Sequence, residues 1–201
     1  MINKMSKKIN ILLDLDQTLL SAESTSDYDM KKNKAKAKKF TFYDMDGYYI
    51  VFERPGLQSF LDDLFANFNV SIWTAASKDY ALFIIDKIIL QNKPNRKLDW
   101  VFFSYHCDIS KKIKKGSKSL EMLWDVYKIP GYTKNNTFIL DDYDEVYNTQ
   151  PNSCIIAKAF EFGDTDSHKD EFLSELSLKL PKLQNGTRNH VKNINKSLGT
   201  K

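Results

Sequence analysis

The chain has 201 residues, enough for one domain of ordinary size with a sizeable buried core. Hydrophobic residues make up 42% of it and aromatic residues 13%, which excludes an intrinsically disordered chain. Its apolar runs are far shorter than the roughly 18 residues of a membrane span. We therefore expect a globular intracellular protein, nuclear or cytoplasmic, that does not bind membranes. The two cysteines, Cys107 and Cys154, lack metal-ligand spacing and are predicted to be buried free thiols.

The first predicted element is a short apolar run from Ile9 to Leu13 that stops at Asp14, Asp16 and Thr18. A fully apolar run of this length is typical of a central strand in a parallel sheet covered on both faces. Ligands of such sheets bind beyond the carboxyl ends of the strands. Taken alone, the two carboxylates and the threonine fit an ordinary Asp-rich turn equally well.

The next segment differs sharply in composition from the first strand. Residues 21–39 are polar and lysine-rich, and they predict an exposed charged loop. Residues 40–53 contain two β-rich runs around Asp46-Gly47 and predict a β-hairpin insertion. Because the hairpin follows the Asp-rich turn closely, we expect it to wall one side of a site there.

Three residues of this region are candidates for substrate binding. Arg54 is either a structural salt-bridge partner or a substrate contact. Tyr49 and Phe52 either form an apolar wall for a peptide or pack on the core. The sequence leaves these alternatives open.

Strands and helices alternate through the rest of the chain. Predicted strands lie at Val70 to Trp73, Trp100 to Ser104, Thr137 to Leu140 and Cys154 to Ala157, with amphipathic helices between and after them. This alternation predicts an α/β fold with a doubly wound, mainly parallel sheet and no large cap. We expect the domain to span residues 9–182 and the basic segment 183–201 to be disordered.

Polar residues follow three of the predicted strands. The first strand supplies the pair Asp14 and Asp16, the second supplies Thr74, and the strand after residue 137 supplies Asp141 and Asp142. In a parallel sheet these ends share one edge, where clustered carboxylates would repel one another unless a cation lay among them. Mg²⁺ suits such a site, because it binds a few carboxylates together with water and phosphate oxygens.

These motifs, with a lysine between the second and third, resemble those of the haloacid dehalogenase superfamily of phosphotransferases. The strings FTFYDMDGYYIVFERPGLQSFL, VSIWTAAS and KSLEMLWDVYKIPGYTKNNTFILDD are more specific. They resemble the NLI-interacting-factor-like phosphatases that act on the carboxy-terminal domain of RNA polymerase II, and are most similar to the branch with a ubiquitin-like domain. The resemblance spans about Ile9 to Leu180.

The resemblance implies a role for each motif residue. Asp14 would be the nucleophile that forms an aspartyl-phosphate. Asp16 would be the general acid that protonates the leaving oxygen and then the base that activates water. Thr18 would orient Asp16 or the turn. Thr74 would bind a phosphoryl oxygen, and Lys118 would neutralise charge in the transition state.

The resemblance also implies a Mg²⁺ site. Its ligands would be Asp14, Asp142 and the backbone carbonyl of Asp16, with Asp141 bound to the metal or beside it. The sequence does not decide which of Asp141 and Asp142 touches the ion. Nor does it exclude the other lysines of 111–118 in place of Lys118.

The function that these observations predict is a Mg²⁺-dependent phosphoserine/phosphothreonine protein phosphatase that acts through an aspartyl-phosphate. Its partner would be a phosphorylated protein or peptide, such as the carboxy-terminal domain of RNA polymerase II. The alternatives are a small-molecule or polynucleotide phosphatase of the same superfamily, and a non-catalytic binding module. The lysine clusters at 31–39 and 111–118 predict solvated loops rather than a nucleic-acid site, because aromatic residues are not interleaved with them.

Overall fold

A five-stranded parallel sheet forms the centre of the computed structural model, which describes residues 9–185 and 189–201. Its strands are β1 (Asn10–Leu13), β5 (Asn69–Trp73), β6 (Leu98–Phe102), β7 (Thr137–Asp141) and β8 (Cys154–Ile156). They lie in the order β6-β5-β1-β7-β8. Strand β1 is therefore central, with β5 and β7 as its parallel neighbours.

Apolar clusters cover both faces of β1. Ile11 and Leu13 join one cluster, and Leu12, which points to the opposite face, joins the other. The flanking helices are α2 (Leu57–Asn67), α3 (Lys78–Ile84), α4 (Ser104–Lys114), α5 (Asp144–Thr149) and α6 (Phe172–Lys179). Burial on both faces explains why Ile11, Leu12 and Leu13 of β1 are all apolar. The predicted doubly wound α/β fold is confirmed.

Several regions have irregular helical geometry or extend a regular helix. Helix α3 continues as a π-helical turn at Ile85–Leu90, and a second π-helical turn spans Met122–Val126. Short 3₁₀ turns lie at Ser167–Lys169 and Leu180–Asn185. Helix α4 includes the first lysines of 111–118, a segment that we expected to be a loop.

Among the described residues, no helix has the length and hydropathy needed to cross a membrane.

The insertion after β1 is larger than the predicted hairpin. Strands β3 (Phe42–Met45) and β4 (Tyr49–Glu53) form that hairpin, and β2 (Leu20–Ser24) pairs antiparallel with the other edge of β4. A helix, α1 (Met30–Ala37), connects β2 to β3.

The prediction that 21–39 is an exposed loop is therefore wrong in part. Strand β2 pairs through its main chain and does not need an apolar sequence to do so. Helix α1 begins after Asp29, whose side chain accepts hydrogen bonds from the main-chain N–H groups of Lys31 and Lys32. Lysine and alanine are good helix formers, so α1 remains rich in exposed lysines while it buries Ala37.

The carboxy-terminal segment is also ordered where the structure describes it. Helix α7 (Asn189–Leu198) packs on β8 and α6. Val191 and Ile194, three residues apart, point into the main core, and Leu183 before the helix is buried too. Asn195 donates a hydrogen bond to the carbonyl of Cys154 and accepts one from the N–H of Ile156. These two main-chain groups of the edge strand β8 thereby have hydrogen-bond partners.

The expectation of a disordered tail is thus wrong for 183–185 and 189–201, and residues 186–188 lie outside the described part of the chain. The low apolar content of the segment suggested disorder. What matters for folding is that its few apolar residues share one helical face.

We predict that Ile194→Ala lowers the free energy of unfolding by about 2–5 kcal/mol, because it leaves a cavity in the main core. Urea unfolding would measure this. The exposed Lys196→Ala on the same helix is the control and should change stability by less than about 0.5 kcal/mol. Equal, small effects of both variants would show that α7 does not belong to the folded unit.

Candidate active site

The candidate site lies where β1 and β7 end side by side. The chain leaves β1 toward β5 and β6 on one side, and returns to β7 and β8 on the other. This change of direction is a topological switch point, where ligands of open α/β sheets bind. The main-chain N–H of Asp14 donates to the carbonyl of Leu140 at 2.9 Å, so the end of β1 is in register with Asp141 and Asp142.

A tight turn follows β1, and its hydrogen bonds fix the positions of the side chains that the turn carries. The N–H of Leu19 donates to the carbonyl of Leu15 at 2.8 Å, and Gln17 has a positive φ of 58°. Two groups from distant parts of the chain donate hydrogen bonds to carbonyls of this turn. The N–H of Phe160 donates to the carbonyl of Gln17 at 2.7 Å, and the guanidinium of Arg54 donates to the carbonyl of Thr18 at 2.9 Å.

Lys118 links the two strand ends. Its ammonium donates to Asp14 Oδ1 at 2.6 Å and to Asp141 Oδ2 at 2.7 Å, and its side chain is only 5% exposed. Burial alone would lower the pKa of Lys118, but the two carboxylates outweigh it, and the pKa is raised. Of the lysines in 111–118, Lys118 is the one that the structure brings to Asp14.

Thr18 joins the remaining carboxylates. Its hydroxyl lies 3.0 Å from Asp142 Oδ1 and 3.3 Å from Asp14 Oδ2, and the side chain is fully buried. Burial, together with the charge of Asp14, raises the pKa of Asp142. Thr18 therefore contacts Asp14 and Asp142, whereas the sequence led us to expect a contact with Asp16 or the turn.

The charges of the site fit a divalent cation. Ligand oxygens of Asp14, Asp141 and Asp142 all lie within 4.8 Å of one another. Burial, followed by the charge of Asp14, raises the pKa of Asp141 despite its contact with Lys118. One ammonium cannot neutralise three carboxylates, and oxygen donors at this spacing suit Mg²⁺. The side chain of Asp16 lies outside this group.

Asp16 has a different environment from that of the Asp14 cluster. Its Oδ1 accepts a hydrogen bond of 2.5 Å from the hydroxyl of Tyr80, in the first turn of α3. Burial raises the pKa of Asp16 to about 6, although the hydrogen bond from Tyr80 lowers it. Burial and the charge of Asp16 raise the pKa of Tyr80 as well. Such a carboxyl can both give and take a proton near neutral pH.

Thr74 lies at the end of β5, beside the end of β1. Its N–H donates to the carbonyl of Phe102 at 3.0 Å, and its hydroxyl accepts a hydrogen bond from the N–H of Ala76, also at 3.0 Å. The residue shares the strand edge with the Asp cluster, as predicted. Only 1% of Thr74 is exposed.

An open cleft of about 420 Å³ borders Asp16, with Tyr49 and Tyr80 among its lining residues. The two rings meet edge to face, with centroids 5.6 Å apart. Tyr49 is 39% exposed and can contact a ligand. The prediction that Phe52 is a substrate contact is wrong, because Phe52 is fully buried on the other face of β4 and stacks on Phe162.

Arg54 is also a structural residue rather than a substrate contact. Its guanidinium forms two hydrogen bonds with Asp170, of 2.7 and 2.9 Å, and its side chain is fully buried. The guanidinium carbon lies 4.4 Å from the ring centroid of Phe172. Arg54 thereby connects the insertion to α6 and to the turn after β1.

Sequence reasoning missed two residues that shape the site. Tyr80 contacts Asp16, and Gln150 holds the main chain around Lys118 by donating to its carbonyl and accepting from the N–H of Leu120. Tyr80 carried a usable signal, because Ser77 predicts a helix start that places Tyr80 in the first turn after a strand that ends at the site. Gln150 carried none that we recognise.

The parallel sheet, the Asp-x-Asp turn at the end of β1, the buried lysine and the Asp-Asp pair at the end of β7 resemble the arrangement of phosphatases of the haloacid dehalogenase type. Residues 9–192 match the model of the NLI interacting factor-like phosphatase family. The protein belongs to this family. The match runs past our predicted domain boundary at residue 182.

Individual relatives agree with this assignment. The putative CTD phosphatase-like protein 355R of Invertebrate iridescent virus 6 is 48% identical over 171 residues, covering 83% of this chain and 94% of that protein. The ubiquitin-like domain-containing CTD phosphatase 1 of Danio rerio is 25% identical over 65% of this chain and 42% of its own length.

A solved structure shares the fold. The structure of Fcp1, described as an essential RNA polymerase II CTD phosphatase, matches 90% of this chain with a TM-score of 0.55 at 20% identity. The match covers 51% of the Fcp1 chain, so this protein spans about half the length of that structure.

We predict that Arg54→Met destabilises the fold by about 3 kcal/mol, because it leaves Asp170 without its buried partner. Urea unfolding would measure the change. The exposed Lys38→Met in the same insertion removes a positive charge without a buried contact, and serves as the control. A substrate contact would instead leave stability unchanged and raise KM for a phosphorylated substrate.

Proposed function

We propose that the protein is a Mg²⁺-dependent phosphoserine/phosphothreonine protein phosphatase that acts through a phosphorylated Asp14, within a domain that begins near residue 9. The main support is the position of Lys118, which contacts Asp14 and Asp141 at the junction of β1 and β7. A buried lysine that binds a nucleophile and a neighbouring carboxylate suits phosphoryl transfer, in which negative charge must be stabilised.

In the first step, a carboxylate oxygen of Asp14 attacks phosphorus while the bond to the serine or threonine oxygen breaks. The ammonium of Lys118 offsets the negative charge of the two groups as they approach. Thr18 holds the Asp14 carboxylate from the other side through its hydroxyl. In this scheme Thr74, at the end of β5, binds a phosphoryl oxygen.

Asp16 transfers the protons. In the first step, protonated Asp16 gives its proton to the departing oxygen. In the second step, ionised Asp16 takes a proton from the water that attacks phosphorus and releases phosphate from Asp14. A pKa raised to about 6 by burial allows both forms of Asp16 to be populated near neutral pH. Asp14 and Asp16 differ in partners, with Lys118 beside the first and Tyr80 beside the second.

The Mg²⁺ site in this proposal consists of Asp14, Asp142 and the main-chain carbonyl of Asp16. Asp142 is the better candidate for direct contact with the ion, because Asp141 is fully buried and already binds Lys118. When bound, Mg²⁺ would neutralise phosphate charge and help to align the attack. Asp141 would act by holding Lys118.

A phosphorylated peptide is the substrate class that we favour over a small metabolite. The cleft beside Asp16 is open, and its exposed aromatic residue, Tyr49, can pack against a peptide side chain. No large cap closes over the site in the described part of the chain. Two relatives are named as CTD phosphatases or CTD phosphatase-like proteins, and the Fcp1 structure is described as an RNA polymerase II CTD phosphatase, so phosphorylated heptad peptides are the first substrates to test.

We predict that the wild-type protein hydrolyses p-nitrophenyl phosphate only with Mg²⁺, and that Asp14→Asn abolishes turnover because an amide cannot attack phosphorus. Phosphate release would measure activity, with EDTA as the metal-free control. Acid-stable trapping of labelled phosphate on wild type but not on Asp14→Asn would identify the intermediate. Turnover by Asp14→Asn at the wild-type rate would contradict the proposal, as would no turnover of any phosphoester by wild type.

We predict that Tyr49→Ala raises KM for a phosphoserine heptad peptide about 10-fold, since it removes a desolvated aromatic contact of roughly 1.4 kcal/mol. KM for p-nitrophenyl phosphate should change little, because that substrate does not reach along the cleft. Steady-state kinetics on both substrates would separate these effects. Faster turnover of sugar phosphates than of any phosphopeptide would favour a metabolite phosphatase.

A further inference from the structure

We propose that Tyr80 is a positioning residue that determines which oxygen of Asp16 carries the transferred proton. By holding Oδ1 with its hydroxyl, Tyr80 leaves Oδ2 as the atom that donates and accepts the proton. This inference rests on the function proposed above, because it assigns an atom to the acid–base step. Its test is designed to fail separately from the phosphatase proposal.

The contact between Tyr80 and Asp16 is direct. The phenolic hydroxyl donates to Oδ1 over 2.5 Å. When Asp16 is protonated, a proton on Oδ1 would compete with this donor for the same space, whereas a proton on Oδ2 leaves the hydrogen bond intact. Among the described residues, Tyr80 is the side chain that donates a hydrogen bond to the Asp16 carboxylate.

The main chain of Tyr80 is fixed in the first turn of its own helix, and its ring contacts the insertion. Its N–H donates to the hydroxyl of Ser77, which caps the start of α3. Its ring meets the ring of Tyr49 on β4 edge to face, with an interplanar angle of 83°. The ring therefore lies between Tyr49 of the insertion and Asp16 at the end of β1.

The other charged groups around Asp16 influence it through their charges rather than through a hydrogen bond to one of its oxygens. Asp14, Lys118 and Asp142 influence Asp16 through their charges, while Lys118 directs its own hydrogen bonds to Asp14 and Asp141. Orientation of the Asp16 carboxyl is thus assigned to Tyr80.

The proton balance of both steps follows from this arrangement. In the first, the bond from Asp14 to phosphorus forms, the ester P–O bond breaks, and the proton on Asp16 Oδ2 moves to the departing serine oxygen. In the second, water loses a proton to Oδ2, its oxygen bonds to phosphorus, and the bond to Asp14 breaks. Tyr80 keeps its own proton throughout.

The test compares leaving groups. An alkoxide leaves poorly without a proton, whereas p-nitrophenolate leaves well without one, so a misplaced acid should affect the two substrates unequally. The measured quantity is kcat/KM, which reports steps up to departure of the leaving group. We expect Tyr80→Phe to lower kcat/KM for a phosphoserine peptide about 10-fold to 100-fold and that for p-nitrophenyl phosphate less than about 3-fold.

A double-mutant cycle tests whether Tyr80 acts through Asp16. Asp16→Asn removes the acid, so adding Tyr80→Phe to it should lower kcat/KM for the phosphoserine peptide no further. Tyr105→Phe deletes the hydroxyl of an exposed tyrosine at the start of α4 and is the matched control. Urea unfolding of Tyr80→Phe would verify that the variant is folded.

Three results would overturn the assignment while wild-type phosphatase activity persisted. They are an equal loss on both substrates, full additivity of the two substitutions, and no loss on the peptide. If wild type turns over neither substrate, the proposed function fails and this inference fails with it.

Discussion

The structure of the site depends on one buried ammonium among several carboxylates. Lys118 binds Asp14 and Asp141 at the ends of adjacent strands, and it sets the distance between them. Buried charges require partners, and the carboxylates here exceed the one lysine. The excess negative charge makes the cluster suited to a divalent cation rather than to a closed structural ion pair.

A second buried ion pair ties the insertion to this site. Arg54 connects the end of β4 to Asp170 before α6, and through the carbonyl of Thr18 to the turn that carries Asp14. The three-stranded sheet is thereby fixed as one wall of the cleft. Tyr49 of this wall contacts the ring of Tyr80, next to Asp16. The contacts of Arg54 therefore position both this wall and the turn that follows β1.

Sequence patterns predicted the structural elements correctly where the local composition matches the burial of the residues. The apolar run of β1, the Asp46-Gly47 hairpin and the polar residues after three strands were recognisable because each follows from local rules of strand burial and turn geometry. The same reasoning failed for 21–39 and for α7. In both cases a polar sequence gains order from main-chain pairing or from a few apolar residues on one face, which average composition conceals.

The sequence by itself determined the alternation of strands and helices and the chemical identity of the site: two carboxylates and a threonine after β1, a threonine after β5 and an Asp-Asp pair after β7. Only the tertiary structure decided which of the neighbouring lysines reaches Asp14, that Arg54 and Phe52 are interior residues, and that Tyr80 contacts Asp16. The reason is physical. Strand ends converge by topology, whereas contacts between distant side chains depend on how helices and the insertion pack around them.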